Sequence, residues 1–179
     1  MFPSHDHMQR IFITGDTAQK KQEHNDYSVF CVWAVNKFGK LRLLEMIRGK
    51  WEAPELRKKA VDLWNRWRIE LGGVSCDCMY VEDKSSGTGL IQDLVAIGIP
   101  INGVQRDKDK LTRAYASTPY IESGLVELPD NPSMNKDLLD ECEAFSRDDS
   151  HTHDDICDNI FDAIEIGLSK RQVSILDVL

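Results

Sequence analysis

The sequence predicts an α/β domain built on a mixed central β-sheet flanked by helices, and two features of its 179 residues carry that expectation. The opening third reads as three successive runs of apolar, β-branched and aromatic residues separated by turns, the pattern of an antiparallel meander. The remainder alternates helical with strand-like patterns, as parallel α/β units do. A composition of 41% hydrophobic and 29% charged residues suits one folded domain with a sizeable core and argues against disorder.

Residues 1–9 read as a flexible leader, residues 10–170 as the folded domain and residues 171–179 as a tail. Residues 10–14 (RIFIT) form a short apolar strand that stops at Gly15-Asp16. A polar loop follows, and residues 27–35 (YSVFCVWAV) are rich in strand formers. A turn at residues 36–39 pairs that strand with residues 40–47 (KLRLLEMI), completing the meander. Pro54 opens a helix in which Leu56, Ala60, Leu63, Trp64 and Trp67 recur at three- and four-residue spacing, ending at Gly72-Gly73. The recurrence makes both tryptophans core residues.

Residues 76–81 (CDCMYV) form a buried strand that ends in Glu82. Ser85-Ser86-Gly87 leads into a helix over residues 89–97, with a short strand at 101–104 behind it. A basic stretch (QRDKDKLTR) enters a helix that runs to about residue 121, and residues 125–128 make a last short strand. Two helices near 135–145 and 154–168 close the domain. Such an architecture hosts many activities and selects none of them.

Charge is unevenly spread. The net charge is -8, which opposes simple coating of nucleic acid. Residues 37–71 nevertheless hold ten Lys or Arg against five acids, whereas residues 137–165 hold eleven acids and the single base Arg147. A chain so polarised can meet a polyanion with one part and hold cations with another. The five cysteines are odd in number and lack zinc-site spacing, so buried thiols are expected in place of disulfides or zinc. No apolar run approaches the roughly 18 residues of a membrane span. No secretory signal pattern is present.

The acids carry the chemical information. Asp16 and Glu82 each end an otherwise apolar strand, where α/β sheets usually bind ligands. If those strands are neighbours, both carboxylates enter one site. In the run HTHDDICDNIFD, Asp155, Asp158 and Asp162 fall at three- and four-residue spacing along a helix that also presents Ile156, Ile160, Ala163 and Ile164. Like charges stacked this way repel unless a cation neutralises them, although helix capping and the helix dipole account for part of the pattern. An all-oxygen ligand set favours Mg²⁺ or Mn²⁺ over zinc. No P-loop, nucleophile elbow or reactive-cysteine pattern occurs. The Gly-rich SSGTG segment is a weak signal for a phosphate cradle, and helix capping accounts for it more readily.

Four segments in order, FITGDTAQ with NDYSVFCVW, MYVEDKSSGTGLIQDL, DKLTRAYASTPYIESGLVELP and HTHDDICDNIFDAI, resemble the carboxy-terminal nuclease domain of the large terminase subunit of tailed bacteriophages. The resemblance spans about residues 11–168. Asn159 stands where that family commonly has Ala. It implies a ribonuclease H-like fold and a metal-dependent DNA endonuclease that cuts concatemeric viral DNA during packaging. By the same resemblance Asp16, Glu82 and Asp155 are the catalytic acids holding two Mg²⁺ or Mn²⁺ ions, with Asp154 and Asp158 as alternatives or additions to Asp155.

His153 either positions a metal-bound water or caps the helix. Lys84, Arg106, Lys108, Lys110 and Arg113 either contact DNA phosphates or form a solvated face. The implied partners are double-stranded DNA, the packaging ATPase domain, the small terminase subunit and the portal, with no membrane. The implied setting is the host cytoplasm. The family's amino-terminal ATPase has no counterpart here, in line with the missing P-loop, which predicts a fragment of a longer chain. Two other readings stand beside this one: a Holliday-junction resolvase-like nuclease of the same fold, and a non-catalytic docking module for the motor or portal.

Overall fold

The structure, a computed structural model, describes residues 8–18, 27–69, 73–145 and 155–169. Six strands form one sheet. β1 (Met8–Asp16), β2 (Ser28–Asn36) and β3 (Leu41–Gly49) make the antiparallel meander, and β4 (Cys76–Glu82), β5 (Ile101–Val104) and β6 (Val126–Glu127) are added parallel to their neighbours. The spatial order is β5-β4-β1-β2-β3-β6. The helices are α1 (Ala53–Trp67), α2 (Ser86–Ala96), α3 (Lys110–Glu122), α4 (Pro132–Ala144) and α5 (Asp155–Ile164), the last continued by a π-helical turn at Glu165–Ser169. This is the mixed α/β sheet of the ribonuclease H-like fold that the sequence predicts.

The boundaries shift where local chemistry decides them. β1 begins at Met8, two residues ahead of the apolar run, so the sheet takes in residues 8 and 9 of the expected leader. The turn after β2 closes because the Asn36 side-chain oxygen accepts from the backbone N–H groups of Phe38 and Lys40, while Gly39 adopts φ +75°. α1 ends at Trp67, short of the Gly pair. Residues 1–7 and 171–179, the bulk of the expected leader and the whole tail, lie outside the described residues.

Period-two alternation gives the sheet two apolar faces. Ile11, Ile13, Phe30, Val32 and Ala34 point to one side, where Leu56, Ala60, Leu63, Trp64 and Trp67 of α1 and Leu90 and Leu94 of α2 cover them. Phe12, Val29, Cys31, Trp33 and Val35 point to the other side, against Leu138 of α4 and Ile156, Ile160, Ala163 and Ile164 of α5. The expected core tryptophans of α1 are therefore buried on the first face. On the second, Trp33 donates its indole N–H to Thr14 at 2.9 Å, which satisfies both polar groups inside the core. Among the described residues no helix is long and apolar enough to cross a membrane.

Candidate active site

Asp16 shares its parity along β1 with Phe12 and Thr14, so its side chain emerges on the face that α5 covers. β4 runs parallel to β1, with Gly15 opposite Val81, so Glu82 lies beside Asp16 at the carboxyl ends of neighbouring strands. α2 starts directly behind them. A Cβ on Gly87 would stand 2.0 Å from the Glu82 carbonyl oxygen, so only glycine lets the helix approach this closely. Ser86 fixes the same corner by donating to the Thr17 hydroxyl and the Ala18 carbonyl at 2.9 and 2.6 Å. Ser85, at the helix N-cap, makes no side-chain cap bond.

Four carboxylates gather around one guanidinium. Arg106, just past β5, places Nη1 at 2.7 Å from Asp16, 3.2 Å from Glu82 and 3.5 Å from Asp158, and Nη2 at 2.7 Å from Asp162. A second guanidinium, from Arg113 of α3, braces the α5 acids from behind. It donates to the Oδ1 atoms of Asp158 and Asp162, the latter at 2.7 Å, and to the Asp158 carbonyl at 3.2 Å. Lys110 Nζ stands 3.4 Å from Asp158. The Oδ2 atoms of Asp158 and Asp162 are thereby turned toward Arg106.

Burial raises the energy of these charges, and their mutual repulsion adds to it. Desolvation pushes the Asp16 carboxyl up to about 7; Arg106 opposes the shift, and Asp158 and Glu82 reinforce it. Desolvation also raises Asp162, against the pull of Arg106 and Arg113. For Arg106 burial works against the charged form, but Asp16, Asp162 and Asp158 outweigh it and hold the guanidinium above its ordinary value.

The acids nominated from the sequence thus divide. Asp16, Glu82 and Asp158 converge. Asp155, one turn earlier on α5, lies 3.9 Å from Arg48 of β3, whose guanidinium also reaches Glu141 at 3.2 Å. Glu141 accepts from the backbone N–H groups of Ile156 and Cys157 at 2.6 and 3.1 Å, so a side chain from α4 caps α5. Asp154 and His153 lie outside the described residues. Of the five nominated bases, Lys84 and Lys108 are exposed, whereas Arg106, Lys110 and Arg113 are paired with the acid cluster. Asp162 belongs to the cluster although sequence reasoning did not place it in the site; its one-turn spacing from Asp158 was the available signal.

The donor chemistry suits a hard divalent cation: carboxylate oxygens from β1, β4 and α5 already surround a positive charge. As the side chains lie, no group of three potential ligands among the described residues closes on a common point. The Arg106 guanidinium stands between the carboxylates and keeps them apart.

Residues 13–165 match the family described as Terminase RNaseH-like domain. The chain belongs to that family. Among solved structures, the large terminase nuclease from thermophilic phage G20c with bound zinc superposes with a TM-score of 0.60 at 21% identity, over 89% of this chain and 81% of that one. The magnesium-bound form of the same nuclease gives 0.59 at 20% identity, over 88% and 80%. The human cytomegalovirus terminase nuclease domain gives 0.62 at 10% identity, over 93% and 86%. No curated protein matches the sequence. At these identities the structures establish a shared fold. The resemblance to terminase nuclease domains noted in the sequence therefore holds.

Proposed function

We propose that this terminase domain is a divalent-metal-dependent endodeoxyribonuclease that cuts concatemeric viral DNA during genome packaging. One observation carries the reading: carboxylates from three separate elements, Asp16, Glu82 and Asp158, all lie within 3.5 Å of a single cationic nitrogen. Burying mutually repelling acids is costly, and a structural role alone gives little return for it. The G20c terminase nuclease, of the same fold, has been seen with zinc, magnesium and cobalt bound, which supports a divalent ion here.

In this reading Asp16, Glu82 and Asp158, assisted by Asp162, would hold two Mg²⁺ or Mn²⁺ ions. The family resemblance nominates Asp155 as the third acid, with Asp154 and Asp158 able to replace or assist it; the 3.5 Å approach of Asp158 to Arg106 is what favours Asp158 here. A bound divalent pair supplies an activated water and charge stabilisation at the leaving 3′ oxygen. The chain's own residues do the positioning. Arg113 fixes the rotamers of Asp158 and Asp162 through their Oδ1 atoms, so that the Oδ2 atoms face the site. Lys84, just past β4, and Lys108, past β5, are exposed and would contact backbone phosphates, holding the duplex without reading its sequence. His153, outside the described residues, would either position the activated water or cap the helix. The substrate is double-stranded DNA. The ATPase domain, small terminase subunit and portal are the partners, in the host cytoplasm.

Supercoiled plasmid incubated with the protein in Mn²⁺, Mg²⁺ or EDTA tests the proposal, with Asp16→Asn alongside. Nicking and linearisation that need metal and vanish in the variant are expected. Plasmid left intact by the wild type at high Mn²⁺, in the presence of the ATPase domain, would favour a docking role. Selective cutting of branched DNA would favour a resolvase-like nuclease.

A further inference from the structure

The two buried arginines of the cluster are built differently. Arg113 projects from helix α3 and binds the Oδ1 side of Asp158 and Asp162 together with the Asp158 backbone carbonyl. Those contacts join α3 to α5 and leave the Oδ2 atoms to Arg106, with Lys110 Nζ also 3.4 Å from Asp158 Oδ2. Arg106 comes from the coil between β5 and α3; beside it the Val104 carbonyl accepts from the Asp83 N–H at 3.0 Å and the Gln105 amide donates to the Asp83 carboxylate at 3.2 Å. Its side chain is 10% exposed, yet buried Nε finds no hydrogen-bond acceptor. Among the described residues its polar contacts are made through Nη1 and Nη2, to Asp16 Oδ2, Glu82 Oε2, Asp158 Oδ2 and Asp162 Oδ2.

Those four oxygens are the ones a divalent cation would use. A Mg²⁺ or Mn²⁺ ion needs oxygens at roughly 2.0–2.2 Å. The guanidinium holds them at 2.7 Å and beyond, and occupies the space between them. Two cations sharing one pocket also repel. From this geometry we infer that Arg106 is an internal counter-cation of the acid cluster, which metal must displace and whose released guanidinium is received by a phosphate of the DNA backbone. The inference rests on the metal-site reading above and adds a coupling to it.

The coupling has a direction. Without DNA, displaced Arg106 loses its four carboxylate partners and gains only water, so metal binds weakly. With duplex present, the planar guanidinium can take a phosphate in a bidentate grip, which removes the competitor from the acids. Metal and duplex then favour each other's binding, by equal factors as linkage requires. Full metal loading is thereby confined to protein already on its substrate. Lys110 and Arg113 remain as the permanent counter-charge of Asp158.

The test is a calorimetric Mn²⁺ titration of the whole chain without DNA, for wild type, Arg106→Gln and Arg106→Lys, with melting temperatures in EDTA and in Mn²⁺. Arg106→Gln is expected to bind Mn²⁺ at least tenfold more tightly than wild type, to melt lower in EDTA and to gain more from Mn²⁺. Arg106→Lys keeps the charge but cannot fork across four carboxylates, so its affinity should fall between the two. Should the Gln variant not fold without metal, Lys decides: tighter binding than wild type supports the inference, and equal or weaker binding overturns it. Equal or weaker affinity in a folded Gln variant likewise overturns the counter-cation role while leaving the metal site standing. Absence of Mn²⁺ binding in every protein, with uncut plasmid, removes the metal site itself and the inference with it.

Discussion

The two faces of the sheet obey opposite rules. On the α1/α2 side the centres of β1 and β2 present Ile11, Ile13, Phe30, Val32 and Ala34, with Ser28 the buried polar residue at the β2 end, and the helices answer with Leu56, Leu63, Leu90 and Leu94. On the α5 side the strands bring an equally apolar centre, but one end of the layer carries Asp16, Asp158 and Asp162, all under 8% exposed. The first face stabilises the domain. The second spends part of that stability on acids held where they repel one another. A strong hydrophobic layer behind the sheet is what lets a strained polar layer persist in front of it.

Substitutions should therefore separate stability from activity according to face. Replacing Asp158 by Asn is expected to reduce plasmid cleavage by about a thousandfold, the scale for losing a group that stabilises transition-state charge. Asp155→Asn, one turn away beside Arg48, should stay within a few-fold of wild type; equal losses in both would dissolve the distinction between the two positions. Leu63→Ala, behind the sheet, should cost about 2–5 kcal/mol in denaturant unfolding while the folded fraction keeps its metal affinity. Gly87→Ala joins the two regions, because its new Cβ must push α2 away from the Glu82 carbonyl. It should cost about 1–3 kcal/mol and also slow cleavage. An activity loss without destabilisation would show that α2 yields freely.

The last contrast lies in pH. The Asp16 carboxyl titrates at about 7 in the folded chain, above its ordinary value of 3.8. The folded state therefore keeps a proton that the unfolded state has already released. Its stabilising contribution is full below about 4 and is lost as pH rises toward 7, with a slope of at most about 1.4 kcal/mol per pH unit. Unfolding in EDTA should show this decline in wild type and a flatter profile in Asp16→Asn. Identical profiles would mean that other carboxyls own the slope.

Much of the scaffold was legible in the sequence because it depends on local pattern. Strand alternation, the turn at Asn36 and the helical spacing of Leu56, Ala60 and Leu63 involve near neighbours only. The end-of-strand positions of Asp16 and Glu82 follow from the same rules, and only their adjacency needed the structure. Pairing between distant charges was not legible. Arg106 reaches back 90 residues to Asp16 and forward 56 to Asp162, and Arg113 forward 45 to Asp158. A sequence displays those arginines as positive charge close to the candidate acids. Nothing in their neighbours distinguishes a guanidinium facing solvent from one buried among carboxylates. Glu141 is similar: its role as the cap of α5 depends on how α4 docks, which periodicity does not encode.

The acid cluster also has a history in time. Its members are drawn from residue 16, residue 82 and residues 158–162, three stretches far apart in the 179-residue sequence. Contacts of such long sequence separation form late in folding, after the loops between them have been closed. During synthesis β1, β2 and β3 can pair while α5 is still unmade, and Asp16 then sits at a sheet edge with no acidic partner from the helix. On the proposed reading, the acids that would cut DNA come together only when the last helix docks.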